Sequence, residues 1–237
     1  MTNILSRYGI KEVADVTFYD IKSGAPVLYL DTLKVSTIEQ TAENSEARGG
    51  KGNAALISWD YGKEITVTLE DALYSPKSMA LIYGDENAIP DELNQTVTKT
   101  VNRANVTSIS GKTAKVNLGG KEITLSECDF YDAEGGPAEA DTCTYVTGVM
   151  DGAKGLKIDI SANAFPGIYK IVGDTYARNE ETGKDEFFQF VIPKAKVMSE
   201  SNTLTMEAEG DPTVFAMNLK VLRPRDGVMM QLIQYEV

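Results

Sequence analysis

The sequence predicts a mainly β protein: an antiparallel β-sandwich or barrel with one short flanking helix. Three observations predict it. Apolar and polar residues alternate with period two in short runs. Polar loops bearing Gly, Asn or Asp separate the runs and suit hairpin turns. The polar faces are rich in Thr, a β-branched residue that fits a pleated surface better than a helix.

In chain order, Val13–Tyr19 and Val27–Leu30 flank the turn Asp20-Ile21-Lys22-Ser23-Gly24. Ala55–Trp59 precedes a second expected turn, Asp60-Tyr61-Gly62-Lys63. Glu64–Glu70 then alternates strictly, with Ile65, Val67 and Leu69 on one face. Trp59, the one tryptophan, flanks an apolar run and is expected in the core.

Ser75-Pro76 opens a helix, the hydroxyl as N-cap and the proline at N1, where its missing N–H is no loss. Met79, Leu81, Ile82 and Tyr83 give it apolar surface and Gly84 stops it. A weaker helical start lies at Pro90-Asp91-Glu92-Leu93. Val97–Leu125 reads as several short strands.

Farther on, Leu156, Ile158 and Ile160 alternate, as do Phe188, Phe190 and Ile192. Asn179–Gly183 turns between Tyr169–Arg178 and Lys184–Pro193. Gly210-Asp211-Pro212 turns between Thr203–Glu209 and Thr213–Leu222, whose Phe215, Met217, Leu219 and Val221 share a face. Arg223-Pro224-Arg225-Asp226-Gly227 then leads into Val228–Val237 as a closing hairpin.

Composition narrows function. The 237 residues carry 23 Lys and Arg against 35 Asp and Glu, a net charge of −12, which argues against gripping phosphates. Histidine is absent, which removes His-based triads, His–zinc sites and imidazole switches and favours a non-enzyme. The start, Met1–Tyr8, has no apolar stretch, so no signal peptide is expected, and no apolar run approaches the roughly 20 residues of a membrane helix. Cys128 and Cys143 are expected as free thiols of a protein made in a cytoplasm. In that setting Asn94-Gln95-Thr96 and Asn105-Val106-Thr107 are chance glycosylation matches.

Candidate chemistry is thin. Ala47-Arg48-Gly49-Gly50-Lys51-Gly52-Asn53 looks like a phosphate cradle, but such a loop needs Gly-Lys-Ser/Thr opening a helix, and here Gly-Asn and a strand follow the lysine. It reads as a mobile loop or hairpin tip. Residues 122–153 hold no Lys or Arg and eight acids, among them Glu127, Asp129, Asp132, Glu134, Glu139 and Asp141. Asp132-Ala133-Glu134-Gly135 lacks the spacing of a calcium loop, so a solvated acidic loop is expected. No pair of carboxylates is marked out by spacing, and there is no Gly-x-Ser-x-Gly elbow. No catalytic residue, cofactor or metal ligand is assigned. The expected domains are 1–93 with 150–237, and an inserted β subdomain or elaborated loop region at 94–149.

The runs Glu46–Asn53, Trp59–Glu64 and Leu69–Leu73, with Phe165–Tyr169, Gly173–Tyr176 and Thr205–Pro212, resemble structural proteins of tailed bacteriophages. The order of elements resembles the tail-tube fold over about residues 13–93 and 150–237. That likeness implies a subunit of hexameric rings that stack into a hollow DNA conduit in the virion tail, made in the host bacterial cytoplasm. It implies contacts with itself and with tape measure, sheath or terminator, and hub proteins. DNA would pass only transiently, and no membrane is involved. The long early loop, about Val35–Asn53, would reach a neighbouring copy through Glu39, Glu43, Glu46, Arg48, Lys51 and Asn53. The negative charge would line the bore and repel phosphates, or keep unassembled subunits soluble. A tail hub, tube initiator or distal-tail ring protein fits the same pattern. From other classes come a monomeric β-sandwich module binding a ligand through loop 127–141, and a hydrolase with a carboxylate pair.

Overall fold

The computed structural model describes residues 7–84, 95–155, 157–199 and 214–235, most of them in strands. In chain order these are β1 (Tyr8–Ile10), β2 (Asp15–Asp20), β3 (Pro26–Leu30), β4 (Leu33–Gly49), β5 (Ala54–Asp71) and the helix α1 (Pro76–Tyr83). There follow β6 (Gln95–Ser110), β7 (Thr113–Leu118), β8 (Lys121–Tyr131) and β9 (Tyr145–Gly155). The last are β10 (Ile168–Asn179), β11 (Asp185–Val197), β12 (Phe215–Val221) and β13 (Gln231–Tyr235). The chain divides into two units, residues 1–89 with 159–237, and residues 90–158.

The first unit is an antiparallel β-sandwich with one short helix. Its nine strands run in the order β3-β2-β10-β11-β12-β5-β4, with β1 added to β10 and β13 to β11. β12 turns the corner of the sandwich: Phe215–Lys220 pair with β5, while Leu219–Val221 pair with β11. The alternating runs supply the core. Val16 and Phe18, Ile65, Val67 and Leu69, Ile171, Ile192, and Met217, Leu219 and Val221 are all buried in one cluster.

The turns and the helix follow local chemistry. Asp20 Oδ1 accepts from the Ser23 and Lys22 N–H groups at 2.6 and 3.1 Å, closing the β2–β3 turn. Asn179 Oδ1 accepts from Glu181 and Thr182 in the same manner. Ser75 and Ser78 form a reciprocal cap at the start of α1, each side chain accepting the other's backbone N–H at 3.0 and 2.9 Å. Gly84 ends α1 at φ +76°, a left-handed turn only glycine takes without strain, and a β-carbon there would strike the Phe165 backbone. Leu81 and Ile82 carry the helix into the core beside Leu33 and Leu69.

The structure corrects several expectations. Asp60–Lys63 is no turn: β5 runs through it because β4 pairs along its whole length, and Gly62, at φ +62°, absorbs one extra residue as a bulge. The expected early loop Val35–Asn53 is strand β4 with its tip, for the same reason. Trp59 is 53% exposed, since this part of β5 has only β4 beside it among the described residues. Arg223–Gly227 makes no closing hairpin. β12 and β13 instead lie in line along one edge of β11; Leu222 N–H still donates to the Lys194 carbonyl at 2.9 Å, and residues 223–230 loop out opposite Ile192 and Pro193. Residues 157–160 form no strand, and Ile160 is 71% exposed, its alternation having no partner. The expectations at Pro90–Leu93, Leu156, Thr203–Glu209 and Gly210–Pro212 lie outside the described residues.

The second unit is a closed four-stranded barrel, β6-β7-β8-β9, whose last strand runs past residue 149 to Gly155. Val101, Ala104, Ala114, Val116, Leu125, Cys128 and Val146 fill it. Closing so few strands needs sharp corners. Arg103 and Glu127 take φ of +51° and +50° at two register shifts, and these bulges bend β6 and β8. Cys128 is buried, Cys143 half-buried, and both are free thiols.

Candidate functional site

The β4–β5 hairpin extends beyond the sandwich core as a two-stranded ribbon. Every residue from Gly50 to Glu64 is exposed, as is Thr41–Glu46 opposite. Isolated two-stranded ribbons are marginal in water, and among the described residues no third strand pairs with either edge of this one.

The bulge at Gly62 decides which way its side chains point. Below it, Ile65, Val67 and Leu69 share the core face with Ser36, Ile38 and Gln40. β4 keeps its alternation past the bulge while β5 gains a residue, so β5's odd-numbered positions change sides. Tyr61, Trp59 and Ile57 therefore lie across from Glu43, Ser45 and Ala47, on the face continuous with the polar outside of the sheet. They are 53%, 53% and 55% exposed.

On the other face Asn44, Glu46, Arg48, Ser58 and Asp60 pair with one another, while Leu56 near the tip is 67% exposed. Asn44 Nδ2 donates to Asp60 Oδ1 at 3.1 Å and to Ser58 Oγ. Arg48 Nε donates to Glu46 Oε2 at 2.8 Å. Such exposed pairs add little stability but set side-chain direction.

The six residues expected to make contacts are thus spread over the arm. Glu39 lies at its base opposite Thr66, Glu43 opposite Tyr61, and Glu46 opposite Ser58. Only Glu46 and Arg48 meet. Lys51 and Asn53 form the tip, where Asn53 N–H donates to the Gly50 carbonyl at 3.2 Å. The strand β5, not a helix, follows the tip, so the helix N-terminus of a phosphate loop is missing there. Sequence reasoning missed Ile57, Trp59 and Tyr61 as surface residues. Their alternation with Ser58 and Asp60 was the available signal, but it is the signal of a buried strand too.

A second exposed apolar feature crosses β10, β11 and β13. The rings of Tyr176 and Phe187 lie 4.9 Å apart, and Phe187 stacks on Tyr235 at 5.4 Å and 7°. Tyr176 is 49% exposed. Beside it, Gly9, Lys11, Glu12, Tyr176, Arg178 and Asp185 line a groove of about 230 Å³. Arg178 grips Asp185 through two hydrogen bonds of 2.7 and 2.8 Å. That pairing holds the Asp185 carboxyl below its ordinary range and raises Arg178.

In the acidic stretch of the barrel, Asp132 is engaged by its own loop. Asp132 Oδ1 accepts from Gly136 N–H at 2.7 Å, and the Gly136 carbonyl accepts from Asp132 N–H at 2.9 Å. Among the described residues no three His, Cys, Asp or Glu converge as a metal site. No helix there is long and apolar enough to cross a membrane.

The YomU/Tube protein family matches the chain in two overlapping stretches, residues 8–98 and 91–234. No curated protein matches it.

Proposed function

We propose that this chain, which belongs to the YomU/Tube protein family, builds a phage tail tube by assembling with copies of itself, as the family's name suggests. Stacked rings, hexameric as in the tail-tube proteins it resembles, would enclose a conduit through which DNA passes without specific binding. The carrying observation is the arm: a paired ribbon outside the core, with no third strand beside it among the described residues and four large apolar side chains, Leu56, Ile57, Trp59 and Tyr61, in water. A monomer gains nothing from such a feature, whereas an assembly covers it. Glu39, Glu43, Glu46, Arg48, Lys51 and Asn53 would then lie at or near copy-to-copy contacts. The free end of the tube would meet tape measure, sheath or terminator, and hub proteins, and the subunit would be made in the host cytoplasm before entering the virion tail.

The net charge of −12 suits a bore that repels phosphates over about one Debye length, ~8–10 Å. Lys and Arg lining the bore in a ring reconstruction would overturn this part.

The test of assembly is negative-stain electron microscopy of concentrated protein, with mass measured on the same sample. Hollow rods or six-fold rings are expected. A monomer at every concentration overturns self-assembly.

A further inference from the structure

We propose that the apolar face of one copy's arm docks into the groove beside the aromatic ladder of a second copy, with Trp59 as the anchor and Glu43 reaching Lys11. The inference rests on the self-assembly reading and says where two copies touch.

Both surfaces belong to the same unit, and both are exposed among the described residues. The arm leaves Trp59 53% exposed, so it does not cover its own groove. Among the described residues nothing packs on the outer side of Tyr176, which stays 49% exposed beside Phe187. At about 230 Å³ the groove exceeds the roughly 150 Å³ cavity that admits benzene, so an indole ring finds room. Tryptophan and tyrosine are the side chains that most often anchor interfaces, since each removes a large flat surface from water at little cost in rotamer freedom.

The charges select the pairing further. In the groove, Arg178 is already engaged by Asp185, while Lys11 forms no ion pair among the described residues. Glu12 also lines the groove, and its backbone carbonyl accepts from Thr175 Oγ1 at 3.1 Å. On the arm, Glu43 lies across from Tyr61, on the face that carries Trp59, and also forms no ion pair among the described residues. Docking the arm's apolar face thus brings a free carboxylate and a free ammonium to the same rim.

The two patches differ, so the contact is head-to-tail: each copy offers an arm and receives one. Such contacts generate closed rings or open stacks, whereas a self-complementary patch stops at a dimer.

Trp59 is the chain's one tryptophan, so its fluorescence reports the contact directly. In wild-type protein taken from dilute to assembled, emission should shift to the blue. Trp59→Ala, Tyr176→Glu and Lys11→Glu should each raise the concentration needed for assembly by roughly tenfold or more, the loss of a hot-spot residue. Adding Glu43→Lys to Lys11→Glu should restore assembly toward wild type, which a misfolded Lys11→Glu variant would not allow. Melting temperatures near wild type confirm that each variant folds. If wild type assembles with unshifted emission, or Tyr176→Glu and Lys11→Glu both assemble as wild type does, this docking is wrong and self-assembly stands. If wild type never assembles, the self-assembly reading fails and takes this contact with it.

Discussion

Phe190 lies over Gly173, its antiparallel partner across β10 and β11, with its ring in the space that a side chain at 173 would fill. Phe190 is 3% exposed, so the ring has nowhere else to go. The glycine is there for room, not for backbone freedom. Gly173→Ala should therefore destabilise the subunit by about 1–3 kcal/mol through overpacking, and Gly173→Val by more. Urea unfolding of both variants checks this. A Gly173→Ala midpoint equal to wild type would mean that the ring rearranges freely.

Ile65 and Trp59 lie on the same strand and answer to different environments, 4% against 53% exposed. Ile65→Asp buries an unpaired carboxylate and should abolish cooperative folding at neutral pH. Trp59→Ala, on the arm, should leave monomer stability within about 0.5 kcal/mol. Thermal melts of the two variants at low concentration separate them.

That pair also shows where legibility in the sequence ends. Val67 and Leu69 alternate with Thr66 and Thr68, and the structure buries them as expected; Ser75-Pro76 and Gly84 bound the helix by chemistry contained in a few adjacent residues. Ile57, Trp59 and Tyr61 alternate just as well, yet burial depends on what packs above them, which a local pattern does not encode. Glycine beside Asp60 and Lys63 satisfies the chemistry of a turn and of a bulge alike. Only the partner strand distinguishes them, and its stretch Thr41–Ser45 is too polar to announce a strand. Past Arg223–Gly227 the turn chemistry is sound, but β13 pairs with β11 rather than with β12, a long-range choice.

The two thiols should react at different rates. Burial pushes the Cys128 thiol up, which disfavours the reactive thiolate, while Cys143 is half-buried. Timed alkylation at pH 8 read by mass spectrometry should modify Cys143 first. Cys128 should follow only as the barrel opens, and equal rates would show that the barrel breathes readily.

Acid should weaken the first unit through two exposed carboxylates. The backbone N–H of Ser23 first, and its hydroxyl next, hold Asp20 below the ordinary 3.8. The Arg178 hydrogen bonds do the same for Asp185. For an acid whose folded pKa is lowered, the stabilisation is complete above the unfolded value and is lost as pH falls through the folded one. Stability should therefore decline below about pH 4. Asp185→Asn should reduce that decline and lower stability at pH 7, which paired melts at pH 3 and pH 7 measure.

The two units should fold apart. Their hydrophobic clusters share no residue: one gathers Phe18, Leu69, Ile171 and Leu219, the other Val101, Val116, Leu125 and Val146. The chain enters and leaves the barrel side by side, because Gln95 at the start of β6 pairs with Gly155 at the end of β9. Opposed residues on antiparallel strands lie only about 5 Å apart at Cα, so a linker of a few Gly and Ser residues spans the gap. A chain with residues 95–155 replaced by such a linker should keep a cooperative melt, as should residues 90–158 made alone. The barrel closes its own edges, and none of the exposed large hydrophobic residues between 7 and 235 falls within 95–155. It therefore offers neither free edges nor an apolar patch for assembly, and the shortened chain should still form rods. Electron microscopy of that chain beside wild type decides this: loss of rods with an intact melt would show that the barrel itself holds copies together.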